Sequence, residues 1–224
     1  MKITFIGTGA ADWDFYRDGH LDGYRRNASA LLDDIFLIDP GPLVLNALET
    51  FGKDPNKILY IINTHKHPDH YNEDTIEALK NAKFYYIAPD TEIQIGKYFI
   101  KALKGNHATC NEVVHFIISD GEKKLFYGLD SSWLMYNEFQ AIKNTTVDYA
   151  VFDGTLGDVD GDFRIFEHNN LRMIREMKLT LEPYIKRFCI SHMAKETHLP
   201  HNELAELMNK VNIETSFDGY ETEI

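Results

Sequence analysis

Residues 65–70 read HKHPDH, directly behind the apolar run ILYIINT. Three histidines and an aspartate therefore fall within six positions. Pro68 disfavours a helical backbone at His67, so the segment leaves its strand extended. In an extended chain, residues two apart face the same side, so His65 and His67 can grip one ion together. Asp69 lies on that side, and His70 follows as the chain turns towards the next helix. A segment built this way can serve two adjacent cations. Imidazole and carboxylate without thiolate suit zinc or manganese, with iron a further candidate. The plain alternative is a polar strand-to-helix loop. Four ligand-type residues that would repel one another when protonated weigh against it.

Elements of both kinds must position that segment. Apolar patterning predicts strands over 3–7, 29–33, 35–39, 57–62, 84–88, 113–118, 124–129, 148–153 and 187–191. It predicts helices over 42–51, 73–81, 91–100, 132–142, 171–179 and 202–211. Asp74 stands three positions before Glu77, as in a capping box, and Pro200 sits just ahead of the last helix. Paired strands first and strand–helix alternation afterwards predict a layered α/β fold. Four apolar strands finish on a potential ligand, namely His65, Asp130, Asp153 and His192. In layered α/β folds, sites gather beyond the carboxyl ends of strands.

Composition narrows the function classes. A chain of 224 residues, 44% hydrophobic, predicts one domain over 1–224. No apolar run approaches the roughly 20 residues needed to span a bilayer, and MKITFIGTGA does not read as a secretory signal. Two distant cysteines, Cys110 and Cys189, fit a reducing compartment, so a cytoplasmic protein without a membrane partner is expected. No Cys-x-x-Cys is present, which excludes a thiolate zinc site of that kind. A net charge of -12 disfavours nucleic acid, whose affinity comes largely from Lys and Arg neutralising phosphates. A small, anionic substrate is expected instead, and a homodimer is compatible with the chain.

The segment at 65–70 resembles the His-x-His-x-Asp-His signature of the metallo-β-lactamase superfamily. GTG at 7–9 and ALLDDIFLIDPGP at 30–42 are similar to the opening hairpins of that family. The resemblance implies a four-layer αββα sandwich, with mixed sheets inside and helices outside. It implies two divalent transition-metal ions sharing a hydroxide. His65, His67 and His107 would hold the first ion, and Asp69, His70 and His192 the second. Asp130 would bridge them. His115, mid-strand in VVHFII, competes with His107. Asp153 competes with Asp130, which could instead cap a helix near Ser132.

Three further stretches resemble the cyclic-phosphate phosphodiesterases and the transfer-RNA 3′-processing endonucleases. They are RRNASALL at 25–32, VFDGT at 151–155 and EHNNLRMIREM at 167–177. By that match His168 would donate a proton to the leaving group, with Asp153 orienting it and Asp69 also assigned to catalysis. Residues 10–28 lack the phosphodiesterases' zinc-binding cysteines, and no tRNA-gripping arm is present. The expected activity is hydrolysis of a small phosphodiester, including a cyclic phosphate. A lactone or other carboxylic ester is the alternative. An iron-dependent redox protein and a non-catalytic metal-binding protein are the rivals from other classes. Arg25 and Arg26 are candidates for phosphate contact or simple solvation. His198 and His201 are read as surface residues, and Trp13, Phe15 and Tyr16 as packed rather than as a lid.

Overall fold

The computed structural model describes Met1–Ile224. Period-two alternation decides the layers. In β1 (Lys2–Gly7), Ile3 and Phe5 face one apolar cluster and Ile6 faces another. The first sheet has the order β13 (Glu221–Glu223), β1, β2 (Ser29–Leu32), β3 (Phe36–Ile38), β4 (Tyr60–Ile62), β5 (Lys83–Tyr85). Its β3, β4 and β5 are parallel and the rest antiparallel. The second sheet has the order β12 (Ile213–Thr215), β11 (Ile185–Ser191), β10 (Val147–Asp153), β9 (Lys124–Gly128), β8 (Val114–Ser119), β7 (Tyr98–Lys104), β6 (Glu92–Ile95). Strands β9 to β12 are parallel, and β6 to β9 pair antiparallel.

The two sheets pack face to face over Phe5, Phe36, Phe116 and Tyr127. Outside the first sheet, Val44, Ala47 and Leu48 of α2 (Val44–Thr50) cover Leu31, Leu37 and Ile61, and α3 (Glu73–Ala78) lies on the same side. Outside the second, α4 (Tyr136–Thr145), α5 (Leu171–Leu181) and α6 (His201–Asn209) bury Ile142, Ile174 and Leu204 against Phe126, Phe152 and Phe188. The result is the expected four-layer αββα sandwich. A short helix, α1 (Phe15–Asp18), lies in the long loop after β1. No helix is long and apolar enough to cross a membrane.

Four expectations differ from the structure. Residues 91–100 form most of a hairpin, β6 and β7, rather than a helix. Gly96, at φ +57°, sits at the first central position of the two-residue turn, where a primed turn requires positive φ. The start of the 57–62 segment is instead the end of a 3₁₀ turn, Pro55–Lys57. The cap of α3 is Asn72, whose side chain accepts from the Thr75 N–H, rather than an Asp74–Glu77 box. The helix expected from 132 begins only at Tyr136, and the short edge strands β12 and β13 went unpredicted.

Candidate metal centre

Strand register brings the candidate residues to one edge. In the second sheet, Phe152 lies opposite Gly128 and Asp153 opposite Ser191. Asp130, Asp153 and His192 therefore emerge side by side from three parallel strands. In the first sheet, Ile38 lies opposite Ile62, so Asp39 and the 63–70 segment emerge together. Backbone hydrogen bonds join the two edges: Met193 N–H donates to Thr8 at 2.8 Å and Val114 N–H to Thr64 at 2.9 Å. A Cβ on Gly41 would lie 2.3 Å from the Asp69 carbonyl, so only glycine lets that turn press against the histidine-rich loop. Asp39, Asp130 and His192 adopt φ of 60°, 51° and 61°. Left-handed backbone in residues with side chains clusters at functional sites.

The side chains form two adjoining groups of donors. His65, His67 and His107 make one, with His107 Nε2 3.3 Å from His67 Nδ1. Asp69, His70 and His192 make the other. Asp69 Oδ2 lies 3.4 Å from His70 Nε2 and 3.7 Å from His192 Nε2. Asp130 Oδ2 stands between the groups, 2.6 Å from His70 Nε2, 3.2 Å from His192 Nε2 and 4.0 Å from His65 Nε2.

The outer hydrogen bonds fix which nitrogen of each ring faces inward. Thr155 Oγ1 donates to the His192 carbonyl at 2.9 Å, so it must accept from His192 Nδ1 at 2.7 Å. Thr64 Oγ1 donates to Asp39 at 2.9 Å, so it accepts from His65 Nδ1 at 3.0 Å. His70 Nδ1 donates to Asp39 Oδ2 at 3.0 Å, and His107 Nδ1 to the Glu167 carbonyl at 3.2 Å. Each of these four rings keeps Nε2 for the cluster, the arrangement that orients histidines as metal ligands. His65 Nε2 is buried with no hydrogen-bond partner, and the buried Asp130 Oδ2 faces only imidazole nitrogens. An unpaired buried polar atom costs about 1–3 kcal/mol. A divalent cation would satisfy both, and nitrogen with carboxylate oxygen is the donor set such an ion takes.

Electrostatics agree. Burial, helped by His70, lowers the His65 pKa to about 2 and keeps that ring neutral, as a ligand must be. Burial opposes charge on His192, yet Asp130 and Asp153 raise it to about 10. Asp69 is held well below the usual carboxylate range, chiefly by His70 against the effect of burial. Cations bound there would take over the pairing that protons otherwise provide.

His168 sits beside this cluster. Its Nδ1 lies 2.9 Å from Asp153 Oδ2, and its ring stacks on His192 with centroids 5.6 Å apart. Burial opposes its charge, but the Asp153 carboxylate raises its pKa above the ordinary value. Asp153 also accepts from the Thr155 N–H at 3.0 Å and the Asn169 N–H at 3.3 Å, which hold it in place. The cavity over the cluster has a volume of about 200 Å³. Asp12, Asp69, His107, Arg164 and His168 are among the residues lining it.

All nine residues singled out for metal or catalysis thus meet at one edge: His65, His67, Asp69, His70, His107, Asp130, Asp153, His168 and His192. His115 does not join them. It pairs with Glu138 at 2.5 Å inside the second sheet's helical face. Asp130 caps no helix, because Met135 holds the position before α4. Arg25 and Arg26 do not reach the cavity. Arg25 donates to Thr8 Oγ1, the Ser216 carbonyl and His201, while Arg26 binds Asn46 and Asp218. His198 is tied to the Gly154 carbonyl. Trp13 is packed, its Nε1 donating to the Met193 carbonyl, whereas Tyr16 is 95% exposed. Sequence reasoning missed Asp39, Thr155 and Arg164. Asp39 also closes a strand, so the strand-end pattern contained the signal for it.

Residues 27–73, from the loop before β2 into α3, match the family model described as the metallo-beta-lactamase superfamily. No curated protein matches the chain in sequence. Among solved structures, the chain is similar to a diphosphatase of the PhnP family, at 18% identity and a TM-score of 0.74, covering 100% of this chain and 97% of that one. It is similar to the metallo-beta-lactamase fold protein YhfI from Bacillus subtilis, at 18% identity and a TM-score of 0.75, covering 100% and 99%. The short form of human tRNase Z, ELAC1, is similar at 14% identity and a TM-score of 0.72, covering 100% and 99%. The motif segment matches that family model, and the whole chain shares its fold with solved metallo-β-lactamase-fold proteins. The solved structures that share this fold thus include a PhnP-family diphosphatase and a tRNase Z.

Proposed function

We propose that this protein is a dinuclear metal-dependent hydrolase of small phosphodiesters, cyclic phosphates included. The observation that carries the reading is Asp130 Oδ2, buried and set between two groups of three donors, with a His168–Asp153 pair on the same cavity. His65, His67 and His107 would hold one ion, Asp69, His70 and His192 the other, and Asp130 both. Two divalent ions there would supply a water nucleophile at neutral pH and neutralise an anionic ester. Asp69 would serve both roles, as a ligand that also lines the cavity.

The remaining chemistry falls to the chain. With one of its protons lost to solvent, the water oxygen forms a bond to phosphorus, the ester P–O bond breaks and the leaving oxygen takes the proton from His168. Asp153 holds His168 Nδ1, which leaves Nε2 to deliver that proton. Thr155 fixes His192 by taking the hydrogen bond from its Nδ1. Arg164, paired with Asp162, is the only lysine or arginine lining the cavity. The small cavity and the charge of -12 favour a small molecule over a polynucleotide. The structural likeness to a diphosphatase and a tRNase Z supports phosphoester chemistry.

The test is turnover of bis(p-nitrophenyl) phosphate by protein reconstituted with zinc or manganese, alongside elemental analysis. Hydrolysis with close to two ions per chain is expected. Turnover of lactones without any phosphodiester cleavage would move the protein to the carboxylic esterases. Metal content near zero would remove the reading altogether.

A further inference from the structure

The cavity wall carries two carboxylates, Asp12 and Glu167, that are not among the seven donors assigned to the ions. Asp12 comes from the loop after β1. Its Oδ2 accepts from the Lys195 N–H at 2.8 Å, and its Oδ1 is buried with no hydrogen-bond partner. Glu167 follows the 3₁₀ turn Phe163–Phe166. One of its carboxylate oxygens lies within 4.8 Å of a ring nitrogen of both His107 and His168, which sets it beside the centre, and it makes no hydrogen bond or ion pair.

Every cation near these two groups is committed elsewhere. Lys195 Nζ binds Asp18 at 2.5 Å, and Arg17 grips the same carboxylate at 3.0 and 2.9 Å. Asp162 takes the Arg164 guanidinium at 3.0 and 2.8 Å, and Asp12, beyond ion-pair reach, adds a smaller pull on it. His168 has Asp153 at 2.9 Å. The ions would not need the two carboxylates either. Asp69, Asp130, a hydroxide and a phosphodiester would together carry four negative charges against the four of two divalent cations. Asp12 and Glu167 are therefore surplus negative charge on a wall that a substrate must face. Such a wall repels a purely anionic molecule and favours one that brings a positive group with it. A buried carboxylate oxygen left unpaired is costly, and a charged donor recovers that cost.

We propose that Asp12 and Glu167 bind an ammonium group carried by the non-reacting ester of the substrate. The proposal rests on the phosphodiesterase reading and names its substrate class: zwitterionic phosphodiesters with a short aminoalkyl substituent. The cavity volume of about 200 Å³ lies below the roughly 300–1,000 Å³ typical of ligand sites, which keeps that substituent short. Asp12 Oδ1 supplies a free acceptor for the ammonium, and Glu167 supplies a second carboxylate.

The test keeps the leaving group and the shape constant. 2-Aminoethyl p-nitrophenyl phosphate and n-propyl p-nitrophenyl phosphate both release nitrophenolate and differ by an ammonium in place of a methyl group. The metal-loaded wild type is expected to prefer the aminoethyl ester roughly tenfold or more in kcat/KM, as for a hydrogen bond to a charged group. The variant Asp12→Asn/Glu167→Gln keeps the side-chain shapes and should bring that ratio close to one through KM. Asp12→Glu should keep the preference. A wild type without preference, or a preference that survives the double variant, overturns the proposal while leaving the hydrolase reading in place. Equal use of the 2-hydroxyethyl ester, which donates a hydrogen bond without charge, overturns it too. If no ester is cleaved, the hydrolase reading fails, and calorimetry decides the ammonium site separately. 2-Aminoethyl phosphate should bind the metal-loaded wild type at least tenfold more tightly than n-propyl phosphate, and the double variant should bind both equally. Equal binding to the wild type overturns the site.

Discussion

His107 and His115 stand eight residues apart, and both are buried. His115 has a carboxylate of its own. Its Nδ1 lies 2.5 Å from Glu138 Oε1, whose other oxygen accepts from the Met135 N–H at 2.8 Å. The ring lies directly under Gly105, the start of the loop that carries His107. His107 has no such carboxylate. Its inward nitrogen faces another histidine nitrogen at 3.3 Å, and burial lowers its pKa where Glu138 raises that of His115. The first pair completes itself within the fold. The second brings imidazole nitrogens together beside the Thr109 hydroxyl, 3.2 Å from His107 Nε2, an arrangement that a cation would complete. A buried histidine is therefore read by what faces its nitrogens, and burial alone does not separate support from chemistry.

The strongest way to break this comparison is to remove the atom on which the convergence depends. Asp130→Ala should lose metal from both positions, taking the content from near two ions per chain towards none, with activity lost alongside. Asp153→Ala should keep both ions. His107→Ala should lower metal content, and His115→Ala should leave it unchanged. Elemental analysis reads all four, and intact metal in Asp130→Ala would sink the two-group reading.

His168 belongs to neither class, since it has a carboxylate partner yet borders the cavity. Its role shows in the leaving group. Nitrophenolate needs little protonation, whereas an alkyl alkoxide needs it as the bond breaks. His168→Ala should lose roughly 10²–10⁴-fold on an alkyl phosphodiester, the usual worth of general acid catalysis, and far less on a nitrophenyl ester. Metal content should stay the same. Equal losses on both substrates would make His168 a packing or binding residue.

The parts of the site legible in the sequence are those that follow directly from a strand. His65, Asp130, Asp153 and His192 each close an apolar run, and the parallel sheets put those ends together. Asp39 ends β3 by the same rule, but ALLDDIFLIDPGP at 30–42 resembles an opening hairpin of the family, which hides its place at a strand end. Residues 91–100 predict a helix because EIQIGKYFI contains apolar residues at both helical and strand spacing, and Gly96 decides for the turn. Strands β12 and β13 are three residues each and owe their pairing to neighbours far away in sequence. Arg25 and Arg26 drew attention by standing together. Arg164 reaches the cavity only through a 3₁₀ turn that no periodicity announces.

Asp39 sharpens the comparison at a smaller scale. It touches no ion position, yet it accepts from His70 Nδ1 and from Thr64, which in turn holds His65. Asp39→Asn weakens the orientation of one ligand in each group. Metal affinity should fall roughly 10–100-fold, as for other carboxylates behind metal-bound histidines. Competition against a chelator measures it, and an unchanged affinity would show that packing alone aims the two rings.

The smallest effect tests the closed pair itself. Burial opposes charge on His115, but the Glu138 carboxylate outweighs it and raises the folded-state pKa above the ordinary 6.5. A group whose folded pKa is raised contributes stability that is fully present below its unfolded pKa. That stability is lost as pH rises through the folded value. Glu138→Gln keeps the shape and removes the charge. The gap in unfolding free energy between wild type and Glu138→Gln should therefore be widest at and below about pH 6.5 and narrow as the pH rises through the folded pKa of His115. Denaturant titrations at a series of pH values read that gap. Metal content should be the same in both proteins throughout. A gap that widens with pH would mean that His115 is neutral against Glu138, and the contrast with His107 would then lie in geometry rather than in charge.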